Sequence, residues 1–370
     1  MTDHREQVGR LLREADALAD GAAKVALVEQ AAAVADGHQN LDLAFEIRRA
    51  LLGVCLGAGQ YDLMLVTFSW CLGQCDRQPE RFPVNKVLWE FRWVVSSLDT
   101  FPEISRAKID EMRGEMARRY QQAGAGLRSY WLMCRKIFAD MGDARQAAIA
   151  DGALRKSPHD WLSDGSETEQ GFEISYRVFR DQPERVLAAA APFLAREIRG
   201  DHFEGQACAD VLIPLLKLGR PAEAMRYHRR GYKLRRNSPR HLDSLAKHIA
   251  FLALTDNLGR AVSLFEKHLV AALRTSNVFS RMRFLTDTLP LLDRLREAGK
   301  ARTRLRIPPE CPLAGGDERP TVPVVRRWMT EAAGELAAAF DARNGNDYYA
   351  KRLAAVPRLQ RLVTPCPYTG

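Results

Sequence analysis

The residues best suited to chemistry are basic, and they lie in the segment RYHRRGYKLRRNSPRH, from Arg226 to His241. Between positions 217 and 240 the chain has nine basic residues and one acidic residue. A helix places residues that are three, four and seven positions apart on one face. Such a face would carry Arg226, Arg229, Arg230, Lys233 and Arg236. Because guanidinium groups bind phosphates and carboxylates in bidentate fashion, we predict an anion-binding face here. The simpler alternative is that these side chains only solvate a helix.

Sequence motifs of catalysis and cofactor binding are missing. The chain has no P-loop, no His-Glu-x-x-His, no Cys-x-x-Cys and no Gly-x-Ser-x-Gly. The segment GAGLRS, from Gly124, begins like a dinucleotide-binding turn but lacks the last glycine and follows a predicted helix. We therefore predict no catalytic residues, no cofactor and no enzymatic activity. A site assembled from residues far apart in sequence would escape this search, so an enzyme stays an alternative.

Metal-binding patterns are also weak. Cys71 and Cys75 would share a helix face but lack two further ligands nearby, and His241 and His248 are spaced too widely for a helical pair. The acidic segment HDWLSDGSETEQ, from His159, lacks the spacing of a calcium loop. We predict core cysteines, ordinary histidines, a helix cap near Ser163 and no metal.

Helical periodicity dominates the elements that must position these residues. Segments such as FEIRRALLGVCLG and AVSLFEKHLVAAL space large apolar side chains by three and four, and alternating β-branched runs are absent. Turn signals recur about every 40 residues, with a helical pattern before and after each. They fall at Gly21, Gly59, Pro102, Gly142, Pro183, Gly219, Gly259 and Gly299. Helix pairs that repeat in this way bury their apolar stripes by stacking, as in an α-solenoid.

Some of these repeats resemble the tetratricopeptide (TPR) family. LGRPAEAMRYHRRGYKLRRNSP has a turn glycine, Gly219, then a small residue, Ala224, five positions later, then Tyr227 and Pro239. MGDARQAAIADGALRKSP, from Met141, and LGRAVSLFEKHL, from Leu258, are similar. TPR units are about 34 residues long and begin with a Trp-Leu-Gly-Tyr pattern that is mostly missing here. The resemblance is therefore to TPR-like proteins, and HEAT-like repeats or an irregular helical bundle stay open.

This resemblance and the repeats together predict an all-α, right-handed superhelical solenoid of helical hairpins with a period of about 40 residues. We assign residues 1–301 to the TPR-like array and 302–321, with four prolines, to a Pro/Gly-rich loop or linker. Residues 322–370 are predicted to form C-terminal capping helices and a tail, TPCPYTG, that frays.

Composition favours a soluble cytoplasmic protein. No stretch approaches the roughly 20 apolar residues of a membrane helix, the N-terminus lacks a signal-peptide pattern, and seven scattered cysteines do not suggest disulfides. The net charge of +9 is uneven: residues 1–185 carry −4 and residues 186–370 carry +13. A basic half of this kind favours anionic partners.

The resemblance to TPR proteins implies that the first helix of each hairpin lines a groove. On the helix before Gly219 the groove residues would be Gln206, Ala209, Ile213 and Leu216. These are small or apolar, and the Lys/Asn pattern of carboxylate-clamping TPR domains is missing. We therefore expect a non-catalytic scaffold or adaptor that binds a protein or peptide partner. The alternative is nucleic-acid or other polyanion binding through the basic half. No membrane partner is expected.

Overall fold

A computed structural model describes residues 4–198, 201–237, 241–315 and 319–368 of the 370-residue chain. The described residues form eighteen α-helices, named α1 to α18 in chain order. Their bounds are α1 (His4–Asp16), α2 (Ala22–Gly37), α3 (Leu41–Ala58), α4 (Tyr61–Arg77), α5 (Leu88–Val95), α6 (Arg106–Gln122), α7 (Arg128–Asp140), α8 (Ala144–Lys156), α9 (Ser166–Phe179), α10 (Pro183–Leu194), α11 (Asp201–Asp210), α12 (Leu212–Lys217), α13 (Pro221–Arg235), α14 (Leu242–Leu254), α15 (Leu258–Arg274), α16 (Val278–Glu297), α17 (Val322–Asn344) and α18 (Tyr348–Ala355).

The predicted all-α class is confirmed. Within the described ranges there is no β-strand, and the one extended pairing is an isolated antiparallel bridge between Arg304 and Thr321. Short 3₁₀ helices cover Val84–Lys86, Leu98–Thr100, Pro312–Gly315 and Val356–Leu362. The chain divides into two compact units. Unit 1 comprises residues 1–99, 106–134 and 151–163, and unit 2 comprises residues 100–105, 135–150 and 164–370.

Unit 1 is built from helices that pack on their neighbours in sequence. α1 contacts α2, α2 contacts α3, α3 contacts α4, and α5 contacts α4 and α6. Its core is aromatic: the Phe45 and Phe82 rings lie 4.6 Å apart and the Phe68 and Phe91 rings 4.8 Å apart. The buried hydroxyl of Tyr120 donates to the carbonyl of Leu88 at 2.9 Å, so the polar end of that side chain is satisfied.

Unit 2 contains the longer series of packed helices. α9, α11, α14 and α16 each contact the next member of that set. The intervening helices α10, α13 and α15 each pack on helices before and after them in sequence. α14 is buried on nearly every side, which explains its almost continuous apolar sequence LDSLAKHIAFLAL.

Several helix ends in unit 2 have a left-handed residue two positions beyond the last helical residue. This residue is Gly142, Asp181, Arg196, Gly219, Asp256 or Gly299, with φ between 50° and 75°. The next amide then donates to the carbonyl four positions before the left-handed residue, as Arg220 does to Leu215 at 2.8 Å. One turn prediction is therefore wrong in detail, because Gly259 lies inside α15 and the left-handed residue before it is Asp256. Pro183 is the first residue of α10, as predicted for a proline that follows a turn.

The Pro/Gly-rich segment from 302 to 321 is folded onto unit 2 as far as the structure describes it. Leu305 is fully buried, and its amide donates to the carbonyl of Pro320 at 3.0 Å. Arg306 donates its amide to Glu266 of α15 at 2.8 Å. The segment is therefore a packed loop in its described part, and residues 316–318 lie outside the described ranges.

The helices predicted at the C-terminal end are present as α17 and α18, and Gly345 ends α17 with φ of 70°. The prediction that the tail frays is wrong for residues 364–368. Thr364 and Cys366 donate their amides to the carbonyls of Leu254 and Thr255, and the amide of Tyr368 donates to Asn257. These bonds use carbonyls that the end of α14 leaves without helical partners, so the tail is held by the backbone.

Candidate functional site

Unit 2 contains a cavity of about 250 Å³ with mostly apolar walls, which we call the apolar chamber. Its walls come from helices α9 to α12, α14 and α16, and are completed by α18 and the 3₁₀ helix after it. The apolar wall residues are Val178, Pro183, Val186, Ala209, Ile213, Pro214, Ala250, Ala355, Val356 and Leu359. The C-terminal segment thus forms one wall of the chamber, in addition to extending the helical series.

Ion pairs lie among the apolar walls of this chamber. Lys217 pairs with Asp181, and Lys247 of α14 pairs with Asp210 of α11. Arg352 of α18 contacts both carboxylate oxygens of Asp287 of α16, at 2.7 and 3.0 Å. These pairs join different helices around the cavity. They keep the charged groups at the chamber compensated while leaving its interior apolar.

A second cavity of about 250 Å³, the polar chamber, shares four wall residues with the first: Val178, Asp210, Lys247 and Arg352. Its cationic wall residues are Arg135, Lys136, Lys247, Arg283 and Arg352, and its carboxylates are Asp140, Asp210 and Asp243. Its aromatic wall residues are Phe172, Tyr176, Phe179, Tyr348 and Tyr349. The arrangement suits a ligand with charge and a flat or apolar body.

In the polar chamber, neighbouring charges outweigh the effect of burial on the pKa values of Asp243 and Arg283. Burial opposes the charge of Asp243, but Lys247 and Arg283 lower its pKa to about 2. For Arg283, burial and the neighbouring Arg352 oppose its charge, while Asp243, Asp287 and Asp140 outweigh them and raise its pKa. Asp243 and Arg283 are therefore both charged at neutral pH.

The predicted groove residues lie on α11 and α12, and three of the four line one of the two chambers. Ala209 and Ile213 line the apolar chamber, and Gln206 lines the polar chamber, where its amide donates to Ser175 at 2.7 Å. Leu216 lines neither chamber, since it is buried in the core formed by α9 to α14.

The predicted anion-binding face of α13 is divided by the structure. Arg226, Lys233 and Arg236 are exposed. Arg230 is half-buried: it pairs with Glu204 at 2.6 Å and donates to the carbonyls at the end of α10. Arg229 lies over the ring of Tyr368 at 4.9 Å. Because Arg229 and Arg230 hold other parts of the chain, the five basic residues do not form one uniformly exposed face.

A buried histidine cluster lies among α13, α14 and α15. The Nδ1 atoms of His228 and His248 are 3.1 Å apart, and His268 is hydrogen-bonded to Tyr232 at 3.1 Å. Burial, with the charges of Arg260 and Arg229, lowers the pKa of His228 to about 3. Burial and Lys267 lower the pKa of His268 to about 4, and burial with His228 places that of His248 well below its usual range. These histidines are neutral packing groups at physiological pH.

The cysteines and acidic residues show no arrangement for metal binding in the part of the chain that the structure describes, where no three potential ligands are grouped. Cys71 and Cys75 are buried in α4, and burial raises their pKa values to about 12 and about 11. They are protonated thiols in a core. At the acidic segment, Ser163 and Asp160 hydrogen-bond to each other in a turn, and α9 is preceded by Gly165 without a side-chain cap.

Sequence reasoning missed the charged residues of the chambers, Asp210, Lys247, Arg283, Asp287 and Arg352. A signal was present for Asp210 and Lys247, which are charged residues within the mostly apolar runs ACADVLI and LAKHIAFLAL. A charge inside an apolar stripe must find a partner or line a cavity.

No protein-family model matches this sequence, and no curated protein is significantly similar to it. None of the described helices combines the length and the apolar character needed to cross a membrane.

Proposed function

We propose that this chain is a non-catalytic scaffold or adaptor that binds a peptide or protein partner, and that an apolar side chain of the partner enters the apolar chamber of unit 2. The apolar chamber is the observation that carries this proposal. Burying one large apolar side chain in such a site contributes about 1.5–3 kcal/mol, which is a gain of about 10- to 100-fold in the affinity for a peptide.

The same proposal includes the repeat class. Consecutive packing of α9 to α16 and the recurring left-handed helix ends are what a TPR-like solenoid with a period of about 40 residues would require. A reducing, cytoplasmic location is part of the proposal and is supported by the seven free cysteines of the chain.

The alternative, a polyanion-binding face on α13, is weaker. Its support is the exposure of Arg226, Lys233 and Arg236. Two of the five predicted cations serve other contacts, so a bound phosphate backbone would meet three side chains of one helix, and few ion contacts give weak, salt-sensitive binding.

Peptide selection on the immobilised full chain tests the main proposal. We expect enriched peptides to share a large aliphatic or aromatic residue. We expect Ala355→Leu to weaken their binding by about 10-fold or more in a calorimetric titration, because the larger side chain fills the chamber that the anchor would occupy.

The matched control is Ala354→Leu, which makes the same change at the neighbouring, exposed position of α18. This variant should bind as the unmodified chain does. Equal affinity of Ala355→Leu and the unmodified chain, or a selection that enriches no sequence, would exclude the apolar chamber as the binding site.

A further inference from the structure

The cations of the polar chamber differ in how they are paired. Arg135 pairs with Glu173 at 2.5 Å, and Lys136 pairs with Asp140 at 3.1 Å. Lys247 pairs with Asp210 and lies 3.9 Å from Asp243, while Arg352 pairs with Asp287. Four of the five cations are therefore already matched by carboxylates of the protein.

Arg283 is the exception. Among the described residues its guanidinium has no ion pair and no hydrogen-bond acceptor, and its Nε is buried. The carbon of its guanidinium group lies 5.8 Å from the centre of the Phe279 ring. A guanidinium group with a buried N–H and no acceptor is costly, and a bound carboxylate would supply the acceptor.

Aromatic rings form a continuous wall beside these charges. The centres of Tyr176 and Phe179 are 6.4 Å apart, those of Phe179 and Tyr348 are 5.8 Å apart, and those of Tyr348 and Tyr349 are 4.9 Å apart. A series of this kind can pack against the ring or aliphatic body of a small molecule.

The carboxylates near Arg283 disfavour a ligand that carries more than one negative charge. Asp140, Asp243 and Asp287 are close enough to influence Arg283 electrostatically. They would repel a second negative charge, so a doubly charged phosphate ester fits worse than a carboxylate.

We propose that the polar chamber binds a small organic monocarboxylate, with its carboxylate on Arg283 and its apolar body against the wall of Tyr176, Phe179 and Tyr348. This effector site is separate from peptide binding in the apolar chamber. Because Asp210, Lys247 and Arg352 belong to both chambers, occupancy of one would influence the other.

The test is calorimetric titration of the full chain with three probes: phenylacetate, the neutral phenylacetamide and the dianion phenyl phosphate. We expect phenylacetate to bind about 10-fold or more tightly than either of the other two, because only it combines one charge with the apolar body. Equal binding of phenylacetate and phenylacetamide would overturn the proposal, and tighter binding of phenyl phosphate would overturn the choice of a monocarboxylate.

Variants locate the site. Arg283→Gln should lose the preference for phenylacetate over the amide, and Arg283→Lys should keep part of it, since ammonium retains the charge without the bidentate geometry. The matched control is Arg327→Gln on α17, which removes an exposed arginine that lines neither chamber. An unchanged preference in Arg283→Gln, or an equal loss in Arg327→Gln, would overturn the assignment.

The results of these experiments can reject the carboxylate site and the proposed scaffold function independently. Loss of carboxylate binding with peptide binding intact and sensitive to Ala355→Leu would reject only this inference. Carboxylate binding that depends on Arg283, without any selected peptide, would reject the scaffold proposal and keep the effector site.

Discussion

Replacement of Gly142 with alanine is expected to destabilise unit 2 by about 2–5 kcal/mol. Gly142 has φ of 75°, where an L-residue costs about 1–2 kcal/mol. A Cβ there would also lie 2.4 Å from both Cβ and Cγ of Tyr348. The atoms next to the Tyr348 backbone cannot move without shifting the start of α18, so overpacking adds about 1–3 kcal/mol.

The surrounding contacts make relaxation difficult. The side chain of Asn346 donates to the carbonyl of Met141 at 2.8 Å, and the hydroxyl of Tyr349 donates to the carbonyl of Asp140. These bonds hold the turn after α7 against the loop between α17 and α18. Since Tyr348, Tyr349 and Arg352 line the polar chamber, the change would also disturb that chamber.

Hydrogen exchange of amides in α16 and α17 would measure the effect as a local free energy of opening. The matched control is Gly299→Ala. Gly299 has φ of 73°, but an added Cβ meets no atom within 4 Å. This control should cost only about 1–2 kcal/mol. If the two variants lose equal stability, the contact with Tyr348 does not contribute.

Acidification from pH 7 to pH 5 is expected to destabilise unit 2 by about 5 kcal/mol through the histidine cluster. In the unfolded chain each histidine takes up a proton near pH 6.5, whereas in the folded chain His228 and His268 do so only near pH 3 and 4. The unfolded state therefore binds more protons throughout this interval, and stability falls as the pH falls below 6.5.

The magnitude follows from three buried groups that each cost about 1.4 kcal/mol per pH unit. Their neighbours also oppose protonation, since Arg229, Arg260 and Lys267 are positively charged and face the cluster. A domain has only about 5–15 kcal/mol of stability, so unit 2 should approach unfolding near pH 5.

Urea denaturation at several pH values between 7 and 5, followed by hydrogen exchange in α13 to α15, would measure this slope. His228→Gln should reduce the slope by about one third, because one of three groups no longer titrates. The control is His38→Gln, which replaces an exposed histidine in the turn between α2 and α3 of unit 1. This variant should leave the slope of stability against pH unchanged. A slope that His228→Gln does not alter would show that the cluster is not the source of the acid sensitivity.

Local features of unit 2 could be predicted from the sequence because local interactions decide them. Apolar residues spaced by three and four predicted the helices, and Gly142, Gly219 and Gly299 predicted helix ends. The same reasoning placed the turn at Gly259 instead of Asp256. An aspartate can also adopt the left-handed conformation, so the nearest glycine did not mark the end of α14.

The anion-binding face shows the limit of spacing arguments. Spacing predicts that Arg226, Arg229 and Arg230 lie close together on a helix, since neighbours on a helix are set by its pitch. Spacing does not predict which of these side chains bind to other parts of the chain. Arg230 binds the carbonyls of Phe193 and Leu194 because α10 ends beside α13, which depends on packing between distant segments.

The two chambers show most clearly which features follow from the sequence and which depend on tertiary packing. The sequence by itself determined that α11 and α12 present small and apolar residues, including Ala209 and Ile213, on one side, since amphipathic periodicity is written within a single helix. Only the tertiary structure decided what faces them. Val356 and Leu359 close the apolar chamber and Arg352 reaches Asp287, although these residues are far apart in the chain. Such contacts form because burial is non-directional and ion pairing depends on distance in space, so neither leaves a periodic pattern in the sequence.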